Sequence, residues 1–171
     1  MADISSDEYI LERYLPTPME QYFQRKLPDL DQAELLIRIV EFLKGLTVTG
    51  SERGDILFAD SIDTMYHYWI LQTEQYAQLC SALSHGRFRH HSSVDYPLLE
   101  RENLDARREL NRRVAFFVAY VRTFGAMEAR RLRYWPALEL LMATLRWDLR
   151  KMNTYLLAKA ERHRLDHPEV A

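Results

Sequence analysis

The side chains best suited to chemistry are concentrated in residues 63–91. Four of the six histidines lie in this stretch: His67, His85, His90 and His91. Asp63 precedes His67 by four residues, so on a helix the two side chains lie one turn apart on the same side. A carboxylate and an imidazole in this arrangement can bind one metal ion together, or the carboxylate can hold the imidazole in one tautomer.

A divalent metal site is the more specific of these two interpretations. Asp63 and His67 would supply two ligands, and His90 or His91, on a following loop, would complete the coordination. Carboxylate and imidazole together suit Zn²⁺, Fe²⁺ or Mn²⁺. Adjacent side chains on an extended loop point apart, so we expect only one of His90 and His91 to face His67. Apart from this divalent ion, the sequence predicts no cofactor.

The second interpretation is structural, and we favour it. Asp63 would accept a hydrogen bond from His67, and the pair would hold the loop of residues 87–91 against the helix. Tyr66, next to His67, belongs to the same candidate site. A single carboxylate–histidine pair lacks the specificity of a motif such as H-E-x-x-H. A metal-dependent enzyme, metal-free acid–base catalysis and a non-catalytic protein therefore all stay open at this point.

Two motifs in this region resemble a known family. The pattern D-x-x-Y-H-x-x-I-L-x-T-x-x-Y-x-x-x-C runs from Asp63 to Cys80, and G-x-F-x-H-H follows at residues 86–91. Together they resemble the core of the glycine-rich domain-containing protein family, in its short stand-alone bacterial form. That family has Trp-His where this chain has Tyr66-His67, and the chain, with 5 glycines in all, lacks the glycine-rich tail of longer members. The resemblance implies a helical fold and no defined chemistry.

Helices would position these residues. Ser61 is placed to cap a helix that carries Asp63 and His67 at the edge of its buried face. Thr73 would restart or continue this helix until Gly86 ends it. The second segment carries an apolar stripe: Tyr76, Leu79, Cys80 and Leu83. We therefore interpret Cys80, the only cysteine, as a small buried hydrophobic residue rather than a nucleophile.

The first two helices are predicted from their start signals. Ser5 and Glu8 have the spacing of a capping box, and the helix that they begin would end before Pro16. Thr17 would cap a second helix, with Pro18 in its first position, where the missing N–H has no consequence.

A core helix is predicted next, capped by Asp29 or Asp31. Apolar residues recur in it at steps of three and four: Leu35, Leu36, Ile39, Val40, Leu43 and Leu46. Arg38, Glu41 and Lys44 are expected on the opposite side of the helix. Gly45 and residues 47–50 would weaken and end it, and residues 56–58, Ile-Leu-Phe, would insert into the core from the connection that follows.

The second half is more regular. A stripe at 4-3-4-3 spacing predicts a central helix: Leu110, Val114, Phe117, Val121 and Phe124. Residues 127–135 are arginine-rich and are predicted to form a short helix or ordered turn. Pro136 would begin one last helical stretch in which leucines stay in register as far as Leu156. After Lys159 we expect the polar residues 160–171 to fray.

Charge is unevenly distributed along the 171 residues. Residues 1–100 hold 8 basic and 16 acidic side chains, and residues 101–171 hold 15 and 9, so the two parts carry −8 and +6. We expect these opposite charges to pair within the protein, including the arginines of residues 107–113, and we do not expect nucleic acid binding, which favours a net basic domain. The acidic N-terminus is unlike a signal peptide, and no apolar run is long enough to span a membrane. A cytoplasmic location is the expectation.

We therefore predict an all-α protein, with residues 1–171 forming a single compact domain of six or seven helices. The unit of residues 63–91 would lie over the long helix around Leu110–Phe124. The favoured function is an interaction or regulatory module that binds a protein partner and in which the Asp63–His67 pair and the His90-His91 loop form a structural lock. The alternative is a small metal-binding protein or metal-dependent enzyme that uses Asp63, His67 and one loop histidine.

Overall fold

The computed structural model describes residues 6–49, 58–83, 86 and 106–166. These residues contain eight α-helices and one 3₁₀ helix, and no strand. The helices are α1 (Asp7–Tyr14), α2 (Thr17–Lys26), α3 (Gln32–Val48), α4 (Asp60–Ile70), α5 (Thr73–Ala82), α6 (Ala106–Phe124), the 3₁₀ helix (Ala129–Tyr134), α7 (Pro136–Leu145) and α8 (Leu149–Asp166). The all-α class is confirmed. The predicted number of six or seven helices is wrong, because two stretches that read as continuous are each interrupted.

Side-chain caps begin two of the first three helices. Ser6 caps α1 by accepting a hydrogen bond from the Tyr9 N–H at 3.2 Å, whereas the predicted cap, Ser5, lies outside the described residues. Asp31 caps α3 by accepting from the Glu34 N–H at 2.8 Å, as one of the two predicted alternatives. The local sequence thus determines where these helices begin.

The predicted caps of α2 and α4 are wrong, because α2 begins one residue earlier and α4 two residues earlier than predicted. Thr17 is already helical, and the Pro16 carbonyl accepts from the Met19 N–H at 2.9 Å. In α4 the cap is Ala59 rather than Ser61, and its carbonyl accepts from the Asp63 N–H at 2.9 Å. The Ala59 N–H donates to the Tyr134 carbonyl at 3.2 Å, so a tertiary contact fixes this start.

The centre of the fold is α3, which contacts α1, α2, α4, α6 and the 3₁₀ helix. Every residue from Ile39 to Leu46 is buried, so this part of the helix has no solvent-facing side. The prediction that Glu41 and Lys44 take an exposed side is therefore wrong. Glu41 is 0% exposed and Lys44 is 5% exposed.

Gly45 has a packing role within α3 rather than ending it. A Cβ atom at this position would lie 3.1 Å from the Trp135 ring and would overlap the Phe58 ring. The missing side chain lets the Phe58 ring pack over α3, with its centroid 5.4 Å from Trp135 and 6.1 Å from Phe42. The predicted insertion into the core is thus confirmed for Phe58, while Ile56 and Leu57 lie outside the described residues.

The candidate-site helix α4 packs against α3, α2 and α5. The sequence predicts that the unit of residues 63–91 lies over α6, but the main contacts of α6 are with α3, α7 and, most extensively, α8. Helices α4 and α5 are separate because Gln72 lies between them with a ψ of 72°, which is outside the helical range. Cys80 is buried, as predicted, and α5 ends at Ala82, before Gly86.

The last predicted helix is two helices, α7 and α8. Arg146 ends α7 in the left-handed conformation, with φ of 55°. The Trp147 N–H then donates to the Met142 carbonyl at 2.9 Å, and the Arg146 N–H donates to the Ala143 carbonyl at 3.2 Å, which is a Schellman motif without glycine. Helix α8 continues to Asp166, beyond the point where fraying was expected, and residues 167–171 lie outside the described part.

One cluster of buried apolar side chains draws on all nine described helices. Trp135 is central to it, because its ring contacts four other aromatic rings: Phe58, Phe116, Phe117 and Tyr120. None of the described helices is long and apolar enough to cross a membrane.

Candidate functional site

The Asp63–His67 pair forms on the outer edge of α4. The His67 Nδ1 atom lies 3.1 Å from a carboxylate oxygen of Asp63 and 2.9 Å from the Asp63 backbone carbonyl oxygen. The side chains are 45% and 39% exposed, so the pair lies at the boundary between core and solvent. The helical spacing therefore brings the two residues together as the sequence predicts.

The contacts of Nδ1 determine the tautomer of His67. A carbonyl oxygen only accepts hydrogen bonds, so the Nδ1 atom beside it must carry a proton. In the neutral imidazole the lone pair is then on Nε2, which is the atom that can accept a proton, a hydrogen bond or a metal ion. Asp63 thereby acts as the residue that orients His67, in the manner of a carboxylate behind a metal-bound or catalytic histidine.

Tyr66 faces the core rather than the Asp63–His67 pair. It is 4% exposed, and its hydroxyl lies 3.1 Å from the Tyr76 hydroxyl. Burial, together with this hydrogen bond, raises the pKa of Tyr76 well above its usual range. The Tyr76 phenol is therefore neutral, and the hydrogen bond between the two hydroxyls joins α4 to α5.

The remaining predicted site residues, His90 and His91, lie outside the described residues. Within the described part of the chain, no group of three or more His, Cys, Asp or Glu side chains is arranged to hold a metal ion. Of the predicted metal ligands, the structure thus describes Asp63 and His67, which form a carboxylate–histidine pair.

A second polar constellation, which the sequence analysis missed, lies inside the fold around Glu41. One carboxylate oxygen of Glu41 accepts from the Trp135 indole N–H at 2.7 Å and from the Tyr120 hydroxyl at 2.9 Å. The other accepts from Arg131 and lies 3.7 Å from the Lys44 ammonium. A carboxylate with no exposed surface thus receives donors from α6, from the 3₁₀ helix and from Trp135, the residue between the 3₁₀ helix and α7.

The same network reaches the surface through Asp7 of α1. One carboxylate oxygen of Asp7 accepts from Lys44 at 3.0 Å, and the other accepts from Arg131. Burial opposes ionisation of Asp7, but the charges and hydrogen bonds of Lys44 and Arg131 outweigh it and hold the pKa of that carboxyl below its usual range. Burial likewise opposes charge on Arg131, and Glu41 and Asp7 reverse this and raise the pKa of the guanidinium.

Two sequence signals could have revealed this constellation. Helix α3 is apolar on nearly all sides between Ile37 and Leu46, which is typical of a central helix, and charged residues within it must then be buried and paired. The opposite net charges of the two parts of the chain also predicted pairing. The structure joins them through Arg131 with Asp7 and Glu41.

No family model, curated protein or solved structure matches this chain. The resemblance of residues 63–91 to the glycine-rich domain-containing proteins therefore stays a prediction that depends on its motifs alone.

Proposed function

We propose that the protein is a helical interaction module that binds a protein partner on the outer face of α4, at Asp63, His67 and Leu71. The observation that carries this proposal is the position of Leu71. This leucine is 69% exposed and follows the Asp63–His67 pair by one helical turn. A large apolar side chain beside an oriented polar pair provides both contact area and hydrogen-bonding specificity.

Neighbouring side chains enlarge this face. Residues 63, 67 and 71 are successive four-residue steps, so their side chains lie within an arc of about 80°. Tyr68, three residues before Leu71, is half-buried, and its ring lies 6.2 Å from the Tyr22 ring of α2. Tyrosine is frequent at the centres of protein interfaces, where lysine and glutamate are depleted.

The Asp63–His67 pair would supply the polar part of the interface. Because Asp63 holds the ring through Nδ1, the Nε2 atom has one defined direction in which to accept a hydrogen bond from a partner. Fixing a side chain before binding lowers the entropy lost in the complex. The lock predicted from the sequence thus becomes, in this proposal, a device that orients His67 for recognition.

Two matched leucine variants test the proposal. Leu71→Glu changes the α4 face, and Leu165→Glu changes a leucine that is 70% exposed on α8. Each tagged variant would be compared with the wild type by quantitative affinity capture from cells of the source organism. We expect at least one protein to be enriched with the wild type and with Leu165→Glu, and to be lost by at least tenfold with Leu71→Glu. Direct binding of that purified protein would then be measured.

The Asp63 and His67 variants give the second arm of this test. His67→Gln and Asp63→Asn should weaken binding of the same partner while leaving the thermal unfolding midpoint within a few degrees of the wild type, because half-exposed ion pairs contribute little to stability. Sedimentation of each variant shows whether the partner is a second copy of the chain. The proposal is wrong if no partner distinguishes Leu71→Glu from Leu165→Glu.

A divalent metal site at His67 is the second candidate, and the tautomer of His67 favours it. Nε2 carries the lone pair that a metal ion requires, with Asp63 as the orienting carboxylate. In this alternative His90 or His91 would supply a further ligand to zinc, iron or manganese.

Metal analysis separates the two candidates. The protein would be purified without a histidine tag, and its zinc, iron and manganese content would be measured. About one equivalent of metal per chain, lost in both His67→Gln and Asp63→Asn, is the result expected of a metal site. A chelator should then lower the melting temperature of the wild type and leave that of both variants unchanged.

A further inference from the structure

We propose that Lys44 and Arg131 form a binding site for an oxyanion, carboxylate or phosphate, and that Asp7 of α1 occupies this site from within the same chain. The site is separate from the α4 face and does not depend on the function proposed there. Asp7 would then be an internal ligand that an external oxyanion can replace when α1 moves away.

The geometry of the two cations carries the proposal. The Lys44 ammonium contacts one oxygen of the Asp7 carboxylate at 3.0 Å, and the Arg131 guanidinium contacts the other. The cations are held from behind by Glu41, which accepts from Arg131, and by the Phe124 ring, 5.5 Å from the Lys44 ammonium. Two fixed donors that bind the two oxygens of one anion are the usual arrangement for recognising a carboxylate or a phosphate.

The exposure of the three side chains shows which of them closes the site. Lys44 and Arg131 are 6% and 4% exposed, whereas Asp7 is 36% exposed. The cations therefore belong to the interior, and the Asp7 carboxylate lies between them and solvent. A group approaching from outside would meet the cations at the position that this carboxylate holds.

The charges near the site require an anion there. Lys44 and Arg131 carry two positive charges, and Glu41 supplies one buried negative charge. Glu128, which lies 3.4 Å from the Arg131 Nε atom, is half-exposed and is already hydrogen-bonded to Arg130. Without Asp7, Lys44 and Arg131 would share the single buried carboxylate of Glu41. Buried charge that is only partly compensated is strongly unfavourable. Removing the Asp7 carboxylate should therefore favour the binding of an external oxyanion by Lys44 and Arg131.

Helix α1 packs weakly enough against the rest of the fold for Asp7 to separate from Lys44 and Arg131. This helix has eight residues, and only Ile10 is buried among them. Its main contact is with α3, and Leu11 and Tyr14 pack against the core from partly exposed positions. Short helices with few buried side chains open at free energies well below that of global unfolding.

Chemical rescue of Asp7→Ala tests the site. The melting temperature of this variant would be measured in chloride and in increasing acetate or inorganic phosphate at constant ionic strength. We expect Asp7→Ala to melt below the wild type in chloride and to gain about 3 °C more than the wild type, in a saturable manner, when the oxyanion is added. If Asp7→Ala does not fold in chloride, the same titration is followed by the recovery of helical circular dichroism.

Two control variants separate this response from general effects of salt on stability. Asp7→Asn fills the site with an uncharged group of the same shape, so we expect it to be destabilised and to show no extra response. Glu12→Ala removes an exposed carboxylate elsewhere on α1 and should respond as the wild type does. Comparing acetate with phosphate shows which oxyanion the site prefers. If the oxyanion raises the melting temperatures of Asp7→Ala, Asp7→Asn and the wild type equally, Asp7 only stabilises the packing of α1, and the proposal is overturned.

Hydrogen exchange in the wild type tests the replacement of Asp7 directly. Saturating phosphate should accelerate exchange of the α1 amides relative to an equal ionic strength of chloride and leave α3 protected, because the anion would hold the cations while α1 is released. If the oxyanion rescues Asp7→Ala but leaves α1 exchange in the wild type unchanged, the oxyanion binds only when the Asp7 carboxylate is absent. That result would contradict the proposal that an external oxyanion can replace Asp7.

Discussion

At the scale of single residues, Glu41 has the most demanding environment in the described protein. It is 0% exposed, and its partners among the described residues are donors: Tyr120, Arg131, Trp135 and Lys44. Tyr120 is one of them, and burial together with the Glu41 charge raises the pKa of that phenol far above its usual range, so it stays a donor. An ionised carboxylate inside a protein is tolerated only when it is paired and hydrogen-bonded to this extent.

Glu41→Gln should therefore be strongly destabilising, although it changes one atom type. The Gln oxygen could still accept from Tyr120 and Trp135, but its NH₂ group would face the Arg131 guanidinium, and both groups are donors. Leaving one partner of a buried ion pair uncompensated costs about 3 kcal/mol or more. We expect the melting temperature to fall by about 9 °C. Glu12→Gln, at an exposed position of α1, is the matched control and should change stability by less than about 0.5 kcal/mol.

The same residue shows where sequence reasoning fails. Glu41 and Lys44 have the three-residue spacing of an exposed ion pair, and periodicity alone assigns them to solvent. What decides their burial is the arrival of α1, α6 and the 3₁₀ helix on that side of α3, and these contacts join residues 37, 79 and 90 positions apart. Asp63 and His67, by contrast, meet within one helical turn, so their contact could be predicted.

At the scale of elements, Gly45 shows how a close approach overrides helix propensity. Alanine is favoured over glycine by about 1 kcal/mol inside a helix. Here the added Cβ would overlap the Phe58 ring, and accommodating it would move the ring away from Trp135. Overpacking of this kind costs about 1 to 3 kcal/mol. We expect Gly45→Ala to be destabilising overall, as measured by urea unfolding.

A double-mutant comparison tests this explanation. In a Phe58→Ala background the ring is absent, so Gly45→Ala should become much less destabilising, because only the 3.1 Å approach to the Trp135 ring then opposes the gain expected from propensity. The effect of one substitution would thus depend on the other. Destabilisation of equal size in both backgrounds would assign the effect of Gly45 to something other than the Phe58 ring.

The turn between α7 and α8 gives a second prediction at this scale. Arg146 adopts the left-handed conformation that glycine favours, at a cost of roughly 1 kcal/mol for a residue with a Cβ atom. Arg146→Gly should therefore stabilise the protein by about 0.5 to 1 kcal/mol, seen as a higher melting temperature. Arg150→Gly, at an exposed position in the first turn of α8, should lower it, because glycine there only weakens the helix.

This turn also explains why part of the element order was missed. Capping signals located the starts of α1 and α3 closely, because Ser6 and Asp31 act through bonds within three residues. The end of α7 carries no glycine or proline, and the leucines stay in helical register across it. Its Schellman motif is formed by residues with no strong turn preference. The local signal at this junction is Asp148, which accepts from the Lys151 N–H at 2.7 Å as the cap of α8.

At the scale of the whole molecule, the two oppositely charged parts of the chain are joined by ion pairs. Arg131 binds Asp7 and Glu41, and Arg133 binds Glu34 at 2.5 Å. The prediction that the charge asymmetry is satisfied internally is confirmed for these residues. Because each pair joins segments far apart in sequence, protonation of the carboxylates should loosen tertiary contacts before individual helices.

Acid should consequently destabilise the fold within a defined pH range. Burial opposes the ionisation of Asp7 and Glu34, but hydrogen bonds and the nearby arginines and lysine outweigh it. They hold the pKa values of Asp7, Glu34 and Glu128 below their ordinary values of 3.8 for aspartate and 4.5 for glutamate. For a carboxyl whose pKa is lower in the folded state, the unfolded chain binds more protons, and stability decreases as pH falls. The contribution is complete above the unfolded pKa and is lost as pH falls through the folded pKa. We expect a nearly constant urea midpoint from pH 7 to about 5 and a steep decrease below about pH 4.

Asp7→Asn isolates the share of this effect that belongs to the Asp7 pairings. The side chain at position 7 of this variant cannot ionise. The variant therefore lacks, at every pH, the stabilisation that the Asp7 charge gives the wild type. The difference in urea midpoint between the wild type and Asp7→Asn should be largest near pH 7 and should shrink as pH falls below about 4, where the wild-type carboxyl also becomes neutral. Glu12→Gln, on the exposed side of the same helix, should show no comparable convergence with the wild type. A gap between wild type and Asp7→Asn that stays constant from pH 7 to 3 would mean that the Asp7 side chain stabilises the fold by packing and not by its charge, because packing does not titrate.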